Sequence, residues 1–207
     1  MTYTRAIGVA CNAVISRIVR WLALARIHPN VLTFIGLVIN AVAAVLLAYG
    51  WFITAGVVMI TAGLFDMVDG RVARETQQVT LFGGFFDSVV DRYSDLVLLM
   101  GLLVYYASIN RYFYVVLTAV VMTASVMVSY TRARAECSIP KCKVGFMERP
   151  ERMVLLIIGA LFNRMAPVLW VIAVIGNISV VHRMLYTWQE ARRLEEAQAR
   201  AAAASGN

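Results

Sequence analysis

Residues 65–95 read FDMVDGRVARETQQVTLFGGFFDSVVDRYSD, and all five aspartates of the 207-residue chain lie here: Asp66, Asp69, Asp87, Asp91 and Asp95. Apolar runs flank the stretch on both sides, so these carboxylates are expected at or near a membrane edge, where a charge is costly and needs a partner. At about 100° per helical residue, Asp66 and Asp69 stand about 60° apart on one helix. Asp87, Asp91 and Asp95 step round a second helix by about 40° each. Two such helices facing each other bring four or five carboxylates to one point. Cations make that tolerable, and hard divalent ions such as Mg²⁺ or Mn²⁺ suit an all-oxygen donor set. The spacing excludes an EF-hand, which needs ligands at the first, third and fifth positions before its glycine. Pairing with Arg71, Arg74 and Arg92 is the plainer alternative, but three arginines leave five mutually repelling carboxylates short of countercharge.

Working outward, 61% of the residues are hydrophobic and 15% charged, with a mean hydropathy of +0.74. That excludes an ordinary soluble domain. Six spans of roughly 20 residues each account for most of the length. The pattern predicts an all-α integral membrane protein with three parts. Residues 1–28 hold an amphipathic helix (4–27) lying in the interface, with Asn12, Ser16 and Arg20 recurring at every fourth position. Residues 29–188 form a membrane domain of six transmembrane helices, at 31–49, 51–68, 81–107, 111–135, 150–162 and 167–184. Residues 189–207 form a charged, Ala-rich tail, read as a solvated, fraying helix. Residues 75–80 serve as a polar linker between the second and third spans.

The net charge of +7 fits anionic head groups and a cytoplasmic face rather than nucleic acid. Of the 19 Lys and Arg residues, only Arg111 and Arg164 fall in the loops after the third and fifth spans. Both termini and the aspartate stretch are therefore expected on the cytoplasmic side of the cell (inner) membrane. Cys11, Cys137 and Cys142 form no disulfide or metal framework and read as free thiols on the reducing side. No cleavable signal is evident at the N-terminus.

The pattern Asp66-x2-Asp69-Gly70-x2-Ala73-Arg74-x8-Gly83-x3-Asp87-x3-Asp91 resembles the signature of the CDP-alcohol phosphotransferase (CDP-alcohol phosphatidyltransferase) family at every defining position. The six-span plan with an interfacial helix is similar too, so the resemblance covers nearly the whole chain. It implies divalent-metal-dependent transfer of a phosphatidyl group from CDP-diacylglycerol to a polar alcohol, with release of CMP. By the resemblance, Asp66, Asp69, Asp87 and Asp91 hold two Mg²⁺ or Mn²⁺ ions, and Asp91 is the general base for the acceptor hydroxyl. Asp69, Gly70, Ala73, Arg74 and Gly83 receive the CDP-lipid, small side chains admitting the nucleotide and the guanidinium meeting phosphate. Asp95 lies outside the signature. A homodimer within membrane lipids is also implied.

A second, basic signal ends the fourth span (SYTRARAE over 129–136, with Arg132 and Arg134) and opens the fifth (Glu148-Arg149-Pro150-Glu151-Arg152). Positive-inside topology accounts for such charges, and so does an anion pocket for a phosphorylated acceptor. Both segments resemble the branch of the family that makes phosphatidylinositol phosphate from inositol phosphate. That resemblance implies that Arg132, Arg152 and Arg183 hold the acceptor phosphate. Glycerol 3-phosphate or another alcohol is the alternative acceptor. Membrane prenyltransferases share Asp-rich chemistry but have more spans and a different motif pair. A cation transporter fits less well, because transporter sites lie near the bilayer midplane between repeated halves. Here the carboxylates gather at one face, and no internal repeat is found.

Overall fold

The computed structural model describes residues 29–75, 79–140, 142 and 144–205, without the side chains of Asp69, Ala73, Glu75 and residues 201–205. The expected interfacial helix at 4–27, residues 76–78 of the linker, and Lys141 and Lys143 lie outside the described residues. Six α-helices and no strand occur among those described: α1 (Pro29–Ala48), α2 (Phe52–Glu75), α3 (Leu81–Ser108), α4 (Tyr112–Ala135), α5 (Arg149–Leu161) and α6 (Met165–Ser205). They divide into two units, Met1–Gly101 and Leu102–Asn207.

Each of the six apolar runs forms a helix. Four helices are long and apolar enough to cross a membrane: α1, α2 over Phe52–Val72, α4, and α6 over Met165–Arg200. α3 carries Asp87, Asp91, Arg92 and Asp95 in its first half, and α5 has only 13 residues. Two boundaries differ from the sequence pattern. α2 continues past residue 68, through both aspartates to Glu75, since Arg71, Ala73 and Arg74 are good helix formers. α6 runs unbroken to Ser205, and its extension is more than a solvated tail. Tyr186, Ala191 and Leu194 pack against buried Ala135, Ile139 and Cys142.

In the first unit, buried Ala43, Ala44 and Leu47 of α1 sit in a core with Ala55, Met59 and Ala62 of α2. α1 and α2 are joined by a Schellman turn. Gly50 takes φ 76°, its N–H donates to Leu47 O at 3.0 Å, and Trp51 N–H donates to Leu46 O at 2.9 Å. Further along, Gly101 of α3 lies against the α1 backbone, where an added Cβ would come within 2.9 Å of the Ala44 Cα. Such close backbone approach through small residues is how helices pack where lipid supplies no hydrophobic drive.

In the second unit, Leu117, Val121, Ala124 and Val128 of α4 and Leu169, Ile172 and Ala173 of α6 form the centre, with Leu156 and Ala160 of α5 also buried. The same turn closes twice more, with Asn110 (φ 55°) and Asn163 (φ 53°) in the left-handed position. Asn tolerates that conformation because its short amide bonds locally. Aromatic rings gather at this end, with Phe113 5.8 Å from Trp170 and Tyr106 stacked 5.0 Å from Tyr114.

The outward faces identify the solvent. Val31, Phe34, Val38, Val42 and Val45 form an exposed stripe along α1, and Ile53, Val57, Ile60 and Leu64 do the same on α2. Apolar surface of that extent is intolerable in water and natural in hydrocarbon. The protein is a membrane protein.

Candidate active site

α2 and α3 deliver the carboxylates. Asp66 comes from α2, within the stretch where Phe65, Val68 and Val72 pack onto Leu32 of α1. Asp87 and Asp91 come from successive turns of α3, which Thr80 caps by accepting the Gly83 N–H at 2.9 Å. One carboxylate oxygen from each of Asp66, Asp87 and Asp91 lies within 4.8 Å of the other two, and all three residues are half-buried. Three partly desolvated carboxylates at that separation repel strongly. An all-oxygen donor set of this kind fits a hard divalent cation. Asp69 follows Asp66 by three residues on the same helix, and its side chain is outside the described residues. Asp95, on the α3 stripe with Asp87 and Asp91, is 4% exposed and not part of the trio.

Beside Asp87 opens a cavity of about 280 Å³, lined by Arg74, Gly70, Gly83 and Gly84 and by the polar side chains of Asn30, Thr33 and Thr80. At Gly70 an added Cβ would meet the Arg74 guanidinium at 3.8 Å, and at Gly83 it would meet Thr80 Oγ1 at 3.0 Å and Asn30 Oδ1 at 3.5 Å. Side chains at these two positions would narrow the space that the glycines leave. The cleft thus joins carboxylates, a cationic group and accessible backbone, a combination suited to a metal-bridged phosphate ligand. Of the residues expected to receive the CDP-lipid, Gly70, Arg74 and Gly83 line this cavity, while the Ala73 side chain lies outside the described residues. Asn30, Thr33 and Thr80 were not among the sequence candidates. Two polar side chains, Asn30 and Thr33, at the start of an otherwise apolar α1 were a usable signal.

The arginines of the second unit are held differently from what a simple anion pocket suggests. Arg183 is 1% exposed; its Nε donates to Val144 O at 2.8 Å and its Nη1 to Val128 O. Arg152, also buried, donates Nη1 to Met147 O at 2.7 Å. Arg132 is more open and donates Nε to Glu136 at 3.3 Å and Nη1 to Glu148. Glu148 Oε1 also accepts from Arg183 Nη2 at 3.3 Å. Arg132 and Arg183 therefore share one carboxylate, and a residue that the sequence marked only as part of a charged turn is their common partner.

The family model for CDP-alcohol phosphatidyltransferase matches residues 26–188. The chain belongs to the CDP-alcohol phosphatidyltransferase family. It is an enzyme, a transferase of phospholipid biosynthesis. Among the relatives of this CDP-alcohol phosphatidyltransferase is the archaetidylinositol phosphate synthase of Methanothermobacter thermautotrophicus, 32% identical over 76% of this chain and 82% of the relative. The phosphatidylinositol phosphate synthase of Mycobacteroides abscessus is 33% identical over 75% of each chain. Among solved structures, the Mycobacterium tuberculosis phosphatidylinositol phosphate synthase with CDP-DAG bound superposes with a TM-score of 0.78. It is 30% identical, over 85% of this chain and 94% of that one. The same enzyme with manganese and citrate gives a TM-score of 0.77 at 32% identity, over 84% and 88%.

Proposed function

We propose that this enzyme transfers the phosphatidyl group of CDP-diacylglycerol to inositol phosphate, giving phosphatidylinositol phosphate and CMP. The convergence of Asp66, Asp87 and Asp91 beside a cavity lined by Arg74 carries the proposal. Relatives and structural neighbours whose names specify phosphatidylinositol phosphate synthases support the acceptor. Asp66, Asp69, Asp87 and Asp91 would hold two Mg²⁺ or Mn²⁺ ions, which would supply the positive charge that offsets the pyrophosphate and the charge developing on CMP. Asp69, Gly70, Ala73, Arg74 and Gly83 seat the CDP-lipid, with the Arg74 guanidinium donating to phosphate oxygens. Asp91 accepts the proton of the acceptor hydroxyl as its oxygen attacks the phosphorus that bears diacylglycerol. The bond from that phosphorus to the CMP oxygen breaks, and CMP leaves with the electron pair.

Arg132, Arg152 and Arg183 bind the phosphate of the acceptor. Backbone carbonyls that fix Arg152 and Arg183 hold them preorganised for a planar, forked grip. Six transmembrane helices, an N-terminal interfacial helix, a cytoplasmic active site and a homodimer complete the proposal. The test is CMP release by the purified protein with CDP-diacylglycerol and Mg²⁺ or Mn²⁺, comparing inositol phosphate, free inositol and glycerol 3-phosphate. Turnover with inositol phosphate alone is expected. A preference for glycerol 3-phosphate reassigns the acceptor, and no CMP release with any alcohol overturns the proposed reaction.

A further inference from the structure

Glu148 occupies the N-cap of α5 with φ −65° and ψ 172°, yet its side chain makes no bond to the amides that follow it. The carboxylate reaches away instead, its Oε1 accepting from both Arg132 and Arg183. Among the described residues the Arg183 guanidinium makes three polar contacts, and they differ in kind. Two are to main-chain carbonyls, Val144 O and Val128 O, that only a backbone movement could withdraw. Gly145 keeps that geometry tight: it takes φ 98°, and a Cβ there would come within 2.9 Å of Arg183 Nε. The next residue is tied as well, Phe146 N–H donating to Ser179 Oγ at 3.0 Å. The third contact is to a side chain that is 43% exposed, against 1% for Arg183. An almost fully buried guanidinium is thus covered on one side by a solvent-reachable carboxylate that a rotamer change can remove.

We propose that Glu148 is an internal stand-in for the acceptor's phosphate. Its carboxylate covers the Arg132 and Arg183 guanidiniums in the empty enzyme and yields them to the incoming phosphate monoester. The inference rests on those arginines binding the acceptor phosphate, and adds how that site is kept closed beforehand. A phosphate monoester brings more charge than a carboxylate and three terminal oxygens, so it can serve both guanidiniums better than a single Oε1 does. The displaced carboxylate has a place to go. As the N-cap residue it stands next to the positive dipole end of α5. Glu136 does not share this role, because its contact to Arg132 is a local pair four residues along the chain and, among the described residues, it touches no second arginine. Without phosphate or Glu148, the buried Arg183 would lose its carboxylate partner while Arg132 kept Glu136, so the stand-in also keeps the empty site stable. Specificity follows, since an acceptor without an anionic group cannot compete with the resident carboxylate.

The test uses inorganic phosphate as the probe, read as protection of the full-length protein against thermal unfolding in detergent and as competition with inositol phosphate in CMP release. Glu148→Gln keeps the shape and removes the charge. It is expected to lower the phosphate concentration giving half-protection, and the KM for inositol phosphate, by about three- to tenfold, leaving the KM for CDP-diacylglycerol unchanged. Glu148→Asp, which reaches less far, is expected to shift the same way by less, and it serves if the Gln variant does not fold. Unchanged or weakened phosphate binding in both variants overturns the stand-in role, and weakening marks Glu148 as a brace that positions the arginines. Arg152→Lys and Arg183→Lys separate the two proposals. If they weaken phosphate binding while Glu148→Gln does not tighten it, only the stand-in fails. If they leave phosphate binding unaltered, the acceptor-phosphate site itself is wrong.

Discussion

Asp91 and Arg152 carry the clearest consequences of single side chains. Asp91→Asn keeps the shape of the side chain and removes its basicity, so CMP release should fall by at least about 100-fold. CDP-diacylglycerol binding, followed by thermal protection with the divalent metal present, should largely survive; unchanged turnover would remove Asp91 from the role of base. Arg152→Ala should raise the KM for inositol phosphate while leaving the lipid KM nearly alone. Because Arg152 is buried and donates to Met147 O, the same variant should lose about 1–3 kcal/mol of stability, read as a lower unfolding midpoint. Equal rises in both KM values would make Arg152 a structural brace only. Aspartate spacing was legible in the chain because it is set within single helices, whereas the bridging role of Glu148 was not. Its partners lie 16 and 35 residues away, and nothing local announces them.

Helices meet here at places that their own periodicity does not reveal. Gly101 is one of several glycines in apolar runs, and only packing shows that its Cβ position is taken by the Ala44 backbone. Gly101→Ala should destabilise by about 1–3 kcal/mol. Gly63→Ala, where an added Cβ would meet no described atom beyond its own helix backbone within 4 Å, should change stability by no more than about 0.5 kcal/mol; equal effects would deny the close approach of α3 to α1. The extension of α6 makes a second case. Its charged, Ala-rich composition reads as a solvated tail, yet Ala191 and Leu194 pack onto the buried Ile139 and Cys142. A chain ended after Glu190 should therefore expose the Cys142 thiol to a maleimide at a rate approaching that of Cys137, which is exposed in the intact protein. Continued protection of Cys142 would mean that the loop stands without the helix. In contrast, the helix-closing turns were partly written in the chain, since Gly50 punctuates an apolar run where a left-handed residue is required.

Topology extends over the entire protein, and the charge bias of the sequence sets the expectation for it. In spheroplasts of a Cys11→Ser strain, a membrane-impermeant maleimide should leave Cys137 unmodified until the membrane is opened. Labelling of intact spheroplasts would reverse the proposed orientation. What the sequence determined by itself is the membrane class, the helical runs and the family pattern from Asp66 to Asp91. Composition, 3.6-residue periodicity and fixed local gaps are properties of short stretches, so they survive without any knowledge of packing. Tertiary structure alone decided three things: that Asp66 reaches Asp87 and Asp91, that Arg183 is bound by the carbonyls of Val128 and Val144, and that Glu148 joins two arginines. Each brings together groups far apart in the chain. Their meeting depends on how whole helices pack and on where buried polar groups find partners.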